Sequence, residues 1–199
     1  MKIAIDLNDV LRAYTKNFAK IYKREYDHTF DETTLSITTN DMSKVFPFAS
    51  KTEYNRFVYQ DYPFELFGSC EPISKEISAN LTNWVRHLKD IDTEEPIDVM
   101  VVSTMEYDLS IQSTYFFLSK LGCKIRETYF PTDSLTIWDK CDILITANPK
   151  LLNAKPEGKV SVKINADYNT ECESDEVYDE ISEYFSDINN VTKRLGNAN

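Results

Sequence analysis

Residues 3–14 read Ile-Ala-Ile-Asp-Leu-Asn-Asp-Val-Leu-Arg-Ala-Tyr, and they decide the fold. An unbroken apolar run ends in a carboxylate, Asp6, followed after Leu7 by the polar pair Asn8-Asp9. A strand covered on only one face would alternate apolar and polar residues. A continuous run is expected of a strand buried on both faces of a parallel sheet. Val-Met-Val-Val at 99–102 and Ile-Leu-Ile at 143–145 repeat the pattern. Five strands are expected, at 2–6, 98–103, 124–130, 142–146 and 160–164, alternating with helical patterns or loops. That alternation predicts an α/β fold with a doubly wound, Rossmann-like sheet.

Outside the strands, the first two are separated by about ninety residues, far more than one crossover needs. An insertion is therefore expected at 14–90, with 1–13 and 91–199 forming the core. Tyr14, Phe18, Ile21 and Tyr22 recur at helical spacing, as do Ile73, Ile77, Leu81, Trp84, Val85 and Leu88. Between them, 31–68 is aromatic-rich and carries Pro47 and Pro63, the composition of a small helical lobe over the strand ends. Residues 174–195 carry Val177, Ile181, Tyr184, Phe185, Ile188 and Val191 on one stripe, which predicts a terminal amphipathic helix and a frayed tail after Gly196.

Composition narrows the function classes. The 199 residues, 42% hydrophobic, suffice for one sizeable core. Every apolar run is shorter than a membrane span and the first residues resemble no signal peptide, so a cytoplasmic or intracellular protein with no membrane partner is expected. In that setting the sequons at Asn80 and Asn190 carry no meaning. A net charge of −11 disfavours direct nucleic-acid binding through phosphate neutralisation. Cys70, Cys123, Cys141 and Cys172 show no metal-ligand spacing, and reduced, mostly buried thiols are expected.

In an open α/β sheet reactive groups gather beyond the carboxyl ends of the strands, which directs attention to 6–9, 103–108, 131–134, 146–149 and 165–169. On these residues the chain resembles the haloacid dehalogenase-like (HAD) superfamily, and within it the 5'(3')-deoxyribonucleotidase-like phosphatases. Ile3-Ala-Ile-Asp6-Leu-Asn8-Asp9-Val10-Leu11 matches the first motif. The stretch 62–72, Tyr-Pro-Phe-Glu-Leu-Phe-Gly-Ser-Cys-Glu-Pro, resembles the helical cap, and Asp142-Ile-Leu-Ile-Thr146-Ala147-Asn148-Pro149 stands where the fourth motif belongs. Ala166-Asp167-Tyr168-Asn169 is similar to the last sheet-edge turn. The resemblance implies a HAD core with a five-stranded parallel sheet and a small helical cap inserted after strand 1.

It also implies Mg²⁺-dependent phosphoryl transfer, whose requirements the residues meet unevenly. Asp6 occupies the nucleophile position. The acid/base two residues on is Asn8, whose amide exchanges no proton near neutral pH, and such a loss costs roughly 10²- to 10⁴-fold in rate. Ser103 or Thr104 supplies the phosphate-binding hydroxyl, although hydroxyls there are also common helix caps. Thr136 stands in place of the lysine clamp, with Lys140 as the nearby substitute. Thr146 and Ala147 replace the acids that would hold Mg²⁺, leaving Asp6 as the one expected metal ligand. Asp142 lies roughly 13 Å down the strand and cannot fill in. Glu106, Asp108, Asp133 and Asp167 fall in loops on the right edge and are candidates for a relocated ligand.

Acid/base, clamp and metal positions thus depart from the pattern together, and such groups act as a unit. The first expectation is a HAD-like chain without phosphatase chemistry and without a cofactor, serving as a structural or protein-binding component among other protein subunits, a viral particle being one such assembly. Fold does not fix that partner. The second is an Mg²⁺-dependent 5'-nucleotidase-like phosphatase acting on nucleoside monophosphates through Asp6. A third is a phosphate or nucleotide sensor without turnover. With 12 Tyr and 11 Phe, the clusters at 54–62 and 115–117 either line contacts between lobe and sheet or present aromatic surface to a partner.

Overall fold

The computed structural model describes residues 1–31, 35–91 and 96–187. Six strands, β1 (Lys2–Asp6), β2 (Asp98–Val102), β3 (Glu127–Tyr129), β4 (Ile143–Thr146), β5 (Val160–Ile164) and β6 (Glu176–Tyr178), form one parallel sheet. Their order is β3-β2-β1-β4-β5-β6. The count is one higher than the sequence suggests. β6 arises within the stretch read as a terminal helix. It pairs with β5 through Val162↔Glu176, Lys163↔Val177 and Ile164↔Tyr178, so the backbone satisfies an otherwise open sheet edge. The helix begins later, as α7 (Ile181–Ser186), and Val177 stands half exposed instead of joining its apolar stripe. Ile188, Val191 and the tail after Gly196 lie outside the described residues.

Side-chain alternation along each strand sorts the core into two layers. From β1, Ile3 and Ile5 face one side, where α4 (Ile77–Asp90), α5 (Leu109–Leu121) and α7 deliver Trp84, Phe117, Tyr184 and Phe185. Ala4 faces the other, against Met100, Val102 and Leu144, closed by Ile137 and Trp138 of a 3-10 helix (Ser134–Lys140) and by Leu151 of α6 (Pro149–Asn153). Both faces are covered, which is why the strand sequences are apolar throughout.

Between β1 and β2 the chain forms α1 (Tyr14–Glu25), two short helices, α2 (Met42–Val45) and α3 (Lys51–Arg56), and two π-helical turns at Phe57–Asp61 and Phe64–Gly68 before reaching α4. All but α4 enclose a separate aromatic cluster of Tyr14, Phe18, Tyr22, Phe46, Tyr54, Phe57 and Phe67. Phe18 lies at its centre, with the Phe46 ring centroid 4.7 Å and the Phe57 centroid 5.7 Å away. The cluster at 54–62 therefore fills the lobe's own interior. α4 instead shares the apolar cluster of the sheet, through Ile77, Leu81, Trp84 and Leu88. Gly68 lets the second π-turn rest on α5: a Cβ there would meet the Ser113 carbonyl oxygen at 3.0 Å.

Phe18 is fully buried among these rings. Phe18→Ala is expected to cost about 3–5 kcal/mol of unfolding free energy, read by denaturant titration.

Candidate functional site

Strand order reverses between β1 and β4, and ligand sites of doubly wound sheets lie beyond the carboxyl ends of the strands at that switch point. Asp6 ends β1 there and Thr146 ends β4. The pairing Ile5↔Ile145 brings the two side chains side by side. Asp6 is 3% exposed; its Oδ1 accepts from the Leu7 backbone N–H at 2.8 Å and its Oδ2 from the Thr146 hydroxyl at 2.7 Å. Thr146 Oγ1 in turn accepts from the Asn148 N–H at 3.0 Å. Burial pushes the Asp6 pKa from 3.8 up to about 7 against the pull of those two hydrogen bonds.

Asn8 owes its orientation to a residue that the sequence motifs did not single out. Arg12 Nε donates to Asn8 Oδ1 at 2.7 Å. Because a guanidinium can only donate, the Asn8 carbonyl must face it and the amide nitrogen turns toward Ser103 Oγ, 3.5 Å away. Arg12 is fully buried. Its Nη1 donates to the Phe67 carbonyl oxygen (3.2 Å) and to Thr114 Oγ1 (3.0 Å), and its Nη2 pairs with Glu106 Oε1 at 2.5 Å. The rings of Phe67, Phe117 and Tyr14 surround the guanidinium, with centroids 5.1, 5.7 and 5.8 Å away. Glu106 also accepts from the Thr114 hydroxyl at 3.0 Å, and its Oε2 is buried without a partner. The available signal for Arg12 was a lone cation inside Val10-Leu11-Arg12-Ala13-Tyr14, a run otherwise without charge.

The remaining candidates divide. Asp9 adopts a left-handed backbone conformation (φ 56°), one that Asp tolerates better than most residues, and so turns the chain out of β1. Its carboxylate accepts from the Thr15 N–H (2.9 Å), the Thr15 hydroxyl and Tyr168 Oη (2.8 Å), while burial raises its pKa. Ser103 is buried beside Asn8, and Thr104 Oγ1 accepts from Asn148 Nδ2 at 3.3 Å. Asp6, Asn8, Ser103, Thr104 and Thr146 are thus brought together. Lys140 is not. It ends the 3-10 helix ahead of β4, exposed, at the opposite end of that strand from Thr146 and roughly 20 Å away along the chain. A cationic clamp from Lys140 is excluded by that placement. Thr136 bonds to Tyr129 Oη at 2.9 Å and to the Asp133 carbonyl at 2.7 Å.

Two of the loop acids that could serve a divalent ion are engaged elsewhere, and position 147 offers no acid. Glu106 pairs with Arg12, Asp133 caps its helix at the Leu135 N–H, and Ala147 contributes only a backbone carbonyl, which accepts from Asn169. Asp108 precedes α5 and Asp167 lies in an exposed turn. Among the described residues no group of three or more His, Cys, Asp or Glu side chains is placed to hold a metal ion. Mg²⁺ needs near-octahedral oxygen ligation anchored by carboxylates, and this donor set does not fit it.

Asp6, Asn8, Tyr14, Thr104, Asn148 and Tyr168 line a cavity of about 20 Å³, room for roughly one water molecule. Alongside it lies a cleft of about 1010 Å³ bordered by Lys16, Ile37, Ile73 and Lys75. The two share Asp9, Thr15 and Tyr168 as a dividing wall, and Asp6 does not line the larger one. The smaller space is where Asp6, a buried carboxyl of raised pKa, lies among amides and hydroxyls.

No family model matches the chain, and no curated protein matches it. Among solved structures the chain is similar to a protein from Bacteroides fragilis described as a haloacid dehalogenase-like hydrolase. The two are 13% identical with a TM-score of 0.60, over 92% of this chain and 98% of that one. The likeness supports a HAD-like α/β fold, and at that identity it carries the fold alone. No described helix is long and apolar enough to cross a membrane.

Two expectations follow from the geometry. Arg12→Met strands a buried Glu106 charge and is expected to cost about 3–5 kcal/mol in chemical denaturation, while Arg12→Met with Glu106→Gln recovers most of that loss. Asp6 binds its proton more tightly folded than unfolded, so its stabilising contribution is full below pH 3.8 and lost as pH rises toward 7. Asp6→Asn should remove this slope, at most about 1.4 kcal/mol per pH unit, when stability is measured across pH 4–7.

Proposed function

We propose that this protein has a HAD-like fold whose phosphoryl-transfer site has been converted into a structural element, and that it serves as a protein-binding or structural component of a larger assembly. The observation that carries the reading is the Arg12–Asn8 contact. The position that should carry a proton-transferring carboxyl holds an amide, fixed by a buried guanidinium that is itself paired with Glu106. The neighbouring Asp6 is held by hydrogen bonds from Thr146 and Leu7, and burial raises its pKa, so that a substantial fraction is protonated and cannot attack at neutral pH. A cavity of about 20 Å³ does not admit a phosphate monoester without rearrangement.

The alternative is a 5'-nucleotidase-like phosphatase acting through Asp6. The convergence of Asp6, Ser103 and Thr104 favours it, and it would require the lobe to move and a donor set for Mg²⁺ that the described residues do not supply.

Hydrolysis of a panel of nucleoside monophosphates in Mg²⁺ distinguishes the two. The expected result is phosphate release by the unaltered protein no faster than by Asp6→Asn. Turnover abolished by Asp6→Asn would establish the phosphatase instead. Asn8→Asp alone is expected to restore nothing, because the ion needs ligands before an acid has a leaving group to protonate. Asn8→Asp with Thr146→Asp and Ala147→Asp is expected to gain Mg²⁺ binding by calorimetry.

A further inference from the structure

The outer face of α5 is unusual in this chain. The helix Leu109–Leu121 contains no acidic residue and one cation, Lys120, in a protein of net charge −11. Its inner face supplies Phe117, Leu118 and Leu121 to the sheet's core. Its outer face, with Gln112 and Ser119 exposed near the centre, also presents large apolar side chains: Leu109, Tyr115 and Phe116 are 53%, 49% and 49% exposed. Phe64 of the second π-turn extends the patch, packed on Phe116 with centroids 5.0 Å apart, and Tyr107, 65% exposed, stands just before the helix start with its ring 6.0 Å from that of Tyr59. Large apolar side chains gathered at one exposed surface commonly mark a contact with a partner. At about half of roughly 200 Å² per aromatic side chain, these five residues present about 500 Å², a large part of the ~800 Å² that each partner contributes to a standard interface.

Two charged groups frame the patch. Asp108 stands immediately before the first residue of α5 and Lys120 in its last turn; both are exposed, and neither makes an ion pair among the described residues. They are equidistant in sequence from Thr114. Antiparallel pairing of α5 with the α5 of another copy, about a two-fold axis near Thr114, therefore sets each Asp108 against the Lys120 of the other copy and brings the aromatic stripes together. The same arrangement opposes the helix dipoles favourably. An acidic chain meeting its own copy is repelled almost everywhere on its surface, and this stretch without acids between complementary ends avoids that repulsion.

We propose that the face formed by α5, Phe64 and Tyr107 is a homodimer interface in which two copies pack α5 against α5 antiparallel across a two-fold axis. The proposal rests on this surface alone, independent of whether Asp6 has activity. Sedimentation velocity of the full chain from submicromolar to tens of micromolar is expected to show a monomer–dimer equilibrium. Phe116→Glu should leave it monomeric, with thermal melting confirming that it is folded. Lys120→Glu, a surface change that threatens no core contact, should weaken the dimer roughly tenfold, because it sets a second carboxylate against Asp108 in two symmetry-related places. Asp108→Asn added to Lys120→Glu should recover part of that loss, and keeps the residue's shape where the backbone has φ 52°. A chain monomeric throughout, including one that associates only with a different protein, overturns the proposal. So does a dimer that neither Phe116→Glu nor Lys120→Glu weakens.

Discussion

One buried guanidinium ties the parts of this molecule together. Arg12 leaves the loop after β1 and holds Asn8 beside it, the Phe67 carbonyl of the inserted lobe, Thr114 of α5 and Glu106 of the loop after β2. Three regions far apart in sequence, around residues 8–12, 67 and 106–114, meet on one planar cation whose rigid fork of donors permits little deviation. Such a pair adds little net stability against an apolar equivalent, since two charges leave water. What it provides is geometric: each partner left alone would be an uncompensated buried group, so the lobe, α5 and the β1 loop are held in one mutual arrangement.

That arrangement bears directly on the site. A pocket that performs phosphoryl transfer has to concentrate positive charge where an anion arrives and keep a carboxylate ionised there. Here the cation lies beneath the pocket, neutralised by Glu106, and Asp6 sits dry and bonded to Thr146, its proton held to near neutral pH. The small cavity and the amide at position 8 belong to the same logic. The polar side chains at the strand ends contact one another: Asp6 with Thr146, and Asn8 with Arg12.

The aromatic residues divide by location. Those at 54–62 and in α1 interlock inside the lobe, with Tyr59 also donating to the Met105 carbonyl at 3.1 Å, whereas Tyr115 and Phe116 remain at the surface and Phe117 enters the core. A run of three consecutive aromatics on a helix necessarily spans about 200° of its circumference at 3.6 residues per turn, so one cluster serves both the interior and an outer face.

The sequence by itself determined the parallel α/β sheet, because strands buried on both faces must be apolar throughout. It also determined that position 8 carries an amide and that positions 146 and 147 carry no acid, because those are matters of residue identity at the ends of readable strands. It could not give β6, since Val177 fits a helical stripe as well as a strand and only the open edge of β5 decides between them. Nor could it give the use of Arg12 and Glu106, or remove Lys140 from the site. An ion pair 94 residues apart and a lysine at the wrong end of its strand follow from how the elements pack. Burial and distance in three dimensions are properties of the assembled chain, and they fix which of its charges meet.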